Sequence, residues 1–191
     1  WRVDPDEIGK HDHLILETHA GRRLALNDPR RFGFVALVDR AALDTYPPFA
    51  AMGPEPLGDD LTAAYLSAAL KGRIAPIKAM LLDQRVVAGL GNIYVCEALH
   101  LAGIAPGTSA GEISRPRLKR LVEAIRAVLA AAIEAGGSTL RDYARPNGEL
   151  GYFAKQWRFY GREDEACACG AIVLRQVDSG RSTFWCARCQ R

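Results

Sequence analysis

The sequence predicts an α+β fold: strands first, then helices, then a small hairpin held by cysteines. Three observations carry this. Alternating apolar residues crowd into 13–38, helical periodicity runs from Leu61 to Gly136, and four of the five cysteines lie in the last 25 of 191 residues. At 49% apolar, the chain can bury a substantial core in one domain or two small ones.

HLILETHAGRRLALND (13–28) reads as two strands joined at Ala20-Gly21, and FGFVALV (32–38) alternates large and small apolar residues as a further strand. A sheet that begins this abruptly reads as incomplete, and Trp1 is not a translational start. The chain is therefore expected to be a fragment lacking amino-terminal strands. PPFAAMGPEPLGDD (47–60) is rich in Pro and Gly and marks the boundary to the helices.

LTAAYLSAAL and IAPIKAMLLD read as the first two helices. GNIYVCEALHLAG is the third, entered through Gly89-Leu90-Gly91. The longest helix is capped by Ser114, has Pro116 in its first turn and stops at Gly136. Its apolar stripe is Leu118, Leu121, Val122, Ile125, Leu129, Ala132 and Ile133. Ser138 or Thr139 then caps a short helix through Tyr143.

Cys167 and Cys169 are followed, after sixteen intervening residues, by Cys186 and Cys189. Two close pairs at this separation suit four thiolates around one zinc ion, although C-x-C gives a tighter bite than the usual knuckle. A disulfide or idle thiols is the alternative. Between the pairs, AIVLRQV and STFW form two strands around a turn at Asp178–Arg181, so the metal would pin the open end of a hairpin tipped by Arg181. Cys96, alone in an apolar helix, reads as core.

Net charge is +3, and the whole excess falls in residues 141–191. That is weak support for a nucleic-acid partner, and a solvated surface is the alternative. No apolar run is long enough for a membrane span. The start, WRVDPDEIGKHDH, has no signal-peptide pattern, so reducing cytosol is the expected compartment.

Four stretches together resemble the formamidopyrimidine-DNA glycosylase family. YGRE with the paired cysteines and SGRSTFWCARCQ is similar to its carboxy-terminal zinc finger. NDPRRFG (27–33) resembles a strand-and-loop motif, LDQRVVAGLGNIYVCEAL (82–99) the entry to its helix–two-turns–helix module, and GGSTLRDYARPNGELGYF (136–153) the connection to the finger. The resemblance covers nearly the whole chain. It implies the remnant of an amino-terminal β-sandwich in 1–46, a linker at 47–59, the helical DNA-binding domain in 60–153 and the zinc finger in 154–191. It further implies a monomeric base-excision repair enzyme in the bacterial cytoplasm. Such an enzyme flips an oxidised purine out of duplex DNA, releases it and cleaves the abasic site by β,δ-elimination. The family's nucleophile is an amino-terminal proline followed by glutamate, with a catalytic lysine on an amino-terminal hairpin. None of the three matches a residue here, so the 191-residue chain is expected to keep the DNA grip and lack the chemistry.

The resemblance also assigns residues. Arg181 matches the arginine that clamps DNA around the lesion and donates a proton in the final elimination; otherwise it is an exposed turn arginine. Asn92, at a helix start, suits a phosphate or is a plain N-cap. Phe32 and Arg30 match a wedge that fills the emptied stack and an arginine that pairs with the orphaned base; otherwise Phe32 is a core strand residue and Arg30 a surface charge. His11, Arg73 and Lys78 match positions near the DNA backbone, and alone each reads as a solvated polar group. Tyr160 matches a phosphate-binding hydroxyl or is a buried ring. The Asn147–Tyr152 loop corresponds to the segment over the extruded base. A metal site at His11 and His13 lacks further ligands, and His19 and His100 have no evident role. Two rival classes remain: an endonuclease VIII-like glycosylase for oxidised pyrimidines, and a non-enzymatic zinc-finger module that binds damaged DNA. A zinc-stabilised protein without a DNA role is the bland alternative.

Overall fold

The computed structural model describes residues 1–137, 153, 157–178 and 180–191. The short helix expected through Tyr143 and the Asn147–Tyr152 loop lie outside the described residues. The chain forms two compact units: residues 1–41 with 132–156, and residues 42–131 with 157–191.

The first unit carries a three-stranded antiparallel sheet. Its strands are β1 (Arg2–Val3), β2 (Asp12–Glu17) and β3 (Arg23–Asn27), in the order β1-β3-β2. The β2–β3 connection turns at Gly21, as the sequence predicts. Asp12 ties the sheet together, because its carboxylate accepts from Arg2 Nη1 at 2.6 Å, Gly9 N at 2.7 Å and Asn27 Nδ2 at 2.7 Å. These bonds, that of Asn27 first, hold its carboxyl below the usual range.

FGFVALV is not a strand. Residues 32–38 carry no regular structure, and Phe32, Phe34 and Leu37 are 77%, 71% and 104% exposed. Alternation creates a strand only where a neighbouring backbone edge accepts its hydrogen bonds, and no described strand pairs with this segment.

The second unit holds α1 (Pro47–Ala50), α2 (Ala63–Ala69), α3 (Ile77–Leu82) and α4 (Asn92–Ala102), and α5 (Arg115–Glu134) begins in it. Thr62 caps α2, its hydroxyl accepting from Tyr65 N at 3.0 Å. Leu66, Ile77, Leu81, Leu99, Leu121 and Ile125 form the centre of the core. On α5 the buried stripe is Leu118, Leu121, Val122, Ala124, Ile125, Val128 and Ala132, whereas Ile133 is 65% exposed. The periodic pattern marks the buried face but not the turn at which its packing partners end.

The Pro/Gly-rich stretch is mostly exposed but is pinned to the helices at a few points. Gly53 N donates to Gln84 O at 2.8 Å, Pro56 is buried, and Arg126 Nη2 on α5 donates to Gly58 O at 2.7 Å. A Cβ on Gly53 would lie 2.5 Å from Val86 O, so only glycine fits there. Among the described residues, no helix is long and apolar enough to cross a membrane.

The unit ends in an antiparallel hairpin, β4 (Leu174–Asp178) and β5 (Arg181–Trp185). Phe159, Cys167, Val173, Phe184 and Cys186 make its small core. A hairpin this size is marginal alone, so it relies on the cysteine cluster and on docking to the helices.

Candidate nucleic-acid interface and metal centre

The hairpin register pairs Asp178 with Arg181. Gly180 has φ 74°, as the tight turns that match strand twist require. Arg181 is therefore the first residue of β5, exposed at the tip.

At the open end, the sulfurs of Cys167, Cys169, Cys186 and Cys189 all lie within 4.8 Å of one another. Cys167 Sγ is 3.7 Å from Cys189 Sγ, and Cys169 Sγ is 3.6 Å from Cys186 Sγ. A disulfide needs about 2.0 Å, so the thiols are free. Four sulfurs about 2.3 Å from one tetrahedral ion would be roughly 3.8 Å apart, close to what is found. The electrostatics favour a cation at their centre. Cys169 is brought down to about 7, first by the backbone N–H of Ala171, while Cys189 is pushed up to about 12, first by its hydrogen bond with Cys169. Four thiolates at this spacing repel, and only a bound cation lets all of them ionise.

The tight C-x-C is accommodated locally. Gly170 N donates to Cys167 O at 2.8 Å and Cys167 N to Ala171 O at 2.7 Å, closing a turn in which Gly170 has φ 83°. That left-handed glycine curls the chain enough for thiols one residue apart to face one centre. Arg188 Nη1 donates to Cys169 O at 2.9 Å and ties the two knuckles together.

Three polar anchors fasten the hairpin to the helices. First, Glu97 on α4 is buried, and its carboxylate accepts from Arg158 N at 3.0 Å, Phe159 N at 2.9 Å and Tyr160 N at 2.9 Å. Second, Gln190 is buried, accepts from Cys186 N at 2.9 Å and donates to Ile104 O at 2.9 Å. Third, Asn92 Nδ2 and Lys78 Nζ both donate to Ser182 O, at 2.9 Å and 3.3 Å. Asn92 Nδ2 also donates to the Tyr160 hydroxyl at 3.2 Å, and Lys78 Nζ to Thr183 Oγ1 at 2.5 Å.

These contacts correct two expectations. Lys78 is not a solvated cation: it is 2% exposed, and burial pushes its pKa down. The sequence showed a lysine on a short helix but not that this face of α3 packs under the hairpin. Asn92 is not an N-cap, because Gly91 occupies that position and Asn92 is the first helical residue. Tyr160 is half-buried, with its ring edge-on to Phe184 at 4.8 Å. Lys78, Asn92 and Tyr160 thus converge around β5, next to Arg181. Arg73 is exposed on the loop before α3, where its carbonyl accepts from Gly111 N at 2.8 Å.

Sequence reasoning passed over Glu97, Gln190 and Thr183. Glu97 carried a signal, a lone acid inside the apolar run IYVCEALHLAG. Gln190 and Thr183 carried none. His100, without a role in the sequence, stacks on Phe159 with ring centroids 3.6 Å apart.

In the first unit, Asp28 organises PRRFG. Its carboxylate accepts from Arg30 N at 3.2 Å and Gly33 N at 2.6 Å, around a left-handed Arg31 with φ 56°. Arg30 lies over the Phe32 ring, 4.5 Å from its centroid. Phe32 is exposed, which removes the reading of it as a core strand residue. His11 is half-buried and edge-on to His13 at 6.3 Å. Among the described residues the four cysteines are a metal-competent cluster, and the two histidines do not form one.

The formamidopyrimidine-DNA glycosylase H2TH domain matches residues 52–144. The chain is 71% identical over 191 residues to a formamidopyrimidine-DNA glycosylase of Rhizorhabdus wittichii, covering all of this chain and 71% of that protein. It superposes on the crystal structure of the MutM (Fpg) protein of Thermus thermophilus with a TM-score of 0.87 at 41% identity, over 96% of this chain and 70% of that one. The Lactococcus lactis Fpg, solved in complex with DNA containing an abasic site, matches with a TM-score of 0.89 at 34% identity, over 100% of this chain and 70% of that one. Motif order, cysteine geometry and overall superposition agree: this chain belongs to the formamidopyrimidine-DNA glycosylase family.

Proposed function

We propose that this chain is the DNA-gripping part of a base-excision repair glycosylase and abasic-site lyase that acts on oxidised purines in duplex DNA. The observation that carries the reading is the hairpin: four thiols gathered at one end, an exposed Arg181 at the other, and anchors on α3 and α4 between them. Zinc is the metal that suits four thiolates in a tetrahedron, and its role is to hold the finger folded. Arg181 offers a planar fork of donors to the phosphates flanking the lesion and serves as proton donor in the last elimination step. Arg73 and His11 add backbone contacts that position the duplex without reading sequence.

Phe32 and Arg30 form the wedge. The exposed ring fills the gap left by the extruded base, and the guanidinium stacked on it faces the orphaned partner. Asn92 Nδ2 is spent on the Tyr160 hydroxyl and the Ser182 carbonyl, so that side of the amide acts through the hairpin's position, while the Tyr160 hydroxyl proton can still go to a phosphate. None of the residues placed in this site is assigned as the nucleophile. The chain works as a monomer in the reducing cytosol, where its thiols stay available to metal.

The test is borohydride trapping of this chain on an 8-oxoguanine duplex, alongside binding to an abasic-site duplex across a salt series. The expected result is no covalent adduct, together with binding whose affinity falls steeply with salt. An adduct would place an amine nucleophile within these residues. Salt-insensitive or absent binding would remove the DNA role.

A further inference from the structure

We infer that Lys78, Thr183 and Asp178 form a directed polar relay that fixes the finger tip, making Lys78 and Asp178 positioning residues for Arg181 rather than DNA contacts. The inference rests on the proposed role of Arg181. Lys78 Nζ donates to Thr183 Oγ1 at 2.5 Å, and the Thr183 hydroxyl in turn donates to Asp178 Oδ2. Gln176 Nε2 holds the same carboxylate at 3.0 and 3.1 Å. Each member has one role: the ammonium only donates, the hydroxyl accepts once and donates once, and the carboxylate only accepts.

The charge balance requires the relay. Lys78 and Thr183 are 2% and 0% exposed. A buried ammonium needs a counter-charge, and Asp178 supplies it through one hydroxyl. Burial alone would push the Asp178 carboxyl up, yet the bonds from Thr183 and Gln176 and the charge of Lys78 bring it below the usual range. Asp178 is also the cross-strand partner of Arg181. A second bond from Lys78, with that of Asn92, fixes the carbonyl of Ser182, the residue after Arg181. The tip is therefore held from both strands. Apolar packing does not do this, because the space between α3 and β4 is an open cavity of about 530 Å³ lined by Lys78, Ala79, Gln176, Asp178 and Arg181 among others. The relay lies in the wall of that cavity, which Lys78 and Asp178 line.

The sign of one substitution separates this from an ordinary surface acid. Removing a negative charge beside bound DNA should tighten binding if Asp178 is merely solvated near the phosphates. A positioning role predicts the reverse. The experiment measures affinity of the zinc-loaded 191-residue chain for a tetrahydrofuran-containing duplex across a salt series. Zinc content and circular dichroism are checked for each variant.

Asp178→Asn is expected to weaken binding about fivefold, the scale of coupling within one hydrogen-bond network. It should also flatten the salt dependence as one lost phosphate contact does. Thr183→Val should do the same and Thr183→Ser should restore parental affinity, so the inference stays testable if Asp178→Asn folds poorly. Arg181→Ala should weaken binding by at least as much, and adding Asp178→Asn to it should cost nothing further. Unchanged or tighter binding by Asp178→Asn, parental binding by Thr183→Val, or additive losses with Arg181→Ala would each overturn the relay. If Arg181→Ala itself binds like the parent, the proposed role of Arg181 fails first and the relay with it.

Discussion

Glu97 offers the sharpest test of how the finger is fastened to the helices. It sits on α4 at 4% exposure, and its two oxygens take three backbone N–H groups from Arg158, Phe159 and Tyr160. Glu97→Gln is nearly isosteric. The amide oxygen can keep the two bonds of Phe159 and Tyr160, but the amide NH₂ then faces the Arg158 N–H, donor against donor. One charge-assisted bond is lost, which costs about 2 kcal/mol. Glu97→Ala abandons all three donors. The Phe159 bond is fully buried and carries about 2 kcal/mol of desolvation, while the two part-buried ones, reachable by water, carry about 1 kcal/mol each. The expected loss is about 4 kcal/mol. At about 2–4 °C per kcal/mol for a chain of this size, the melting temperature should fall by roughly 6 °C for Gln and 12 °C for Ala. Urea denaturation of the zinc-loaded chain, followed by tryptophan fluorescence, measures the free-energy losses, and thermal melts measure the temperature shifts. A Glu97→Ala chain within about 1 kcal/mol of the parent would refute the argument that this carboxylate anchors the finger.

Other expectations follow from the same geometry. The chain should bind one zinc per molecule, and chelation or Cys169→Ala should unfold the hairpin and weaken abasic-duplex binding by about tenfold or more, read by zinc release and anisotropy. Phe32→Ala should leave stability within about 0.5 kcal/mol, because the ring is exposed, yet weaken binding to a duplex with an extruded base. Arg73→Ala should lower affinity equally for all duplex sequences and reduce the salt slope by about one contact. His100 is depressed to about 4, first by burial and then by the Arg158 charge. The unfolded chain therefore binds the proton more readily, so this contribution to stability is full above about pH 6.5 and is lost as pH falls towards 4. His100→Phe should flatten stability over that window, as measured by thermal melts at stepped pH.

Periodicity and turn chemistry alone determined much of this protein. The hairpin around Gly21, the helix opened by Gly91 and closed by Gly103, and the long stripe of α5 needed only local rules, because each is built from contacts a few residues apart. The metal-competent cysteine cluster was legible for a related reason: thiols have few other uses at that spacing, and their pairs lie close in sequence. FGFVALV misled because strand formation depends on a partner that a local pattern does not contain. Tertiary structure alone decided the fate of Lys78. Nothing in KGRIAPIK distinguishes a lysine facing solvent from one turned beneath β5, and its partners Ser182 and Thr183 lie more than a hundred residues away. The same holds for Glu97 and Gln190. A buried polar group is defined by which distant backbone donors or acceptors meet it, and that is fixed only when the finger docks on the helices.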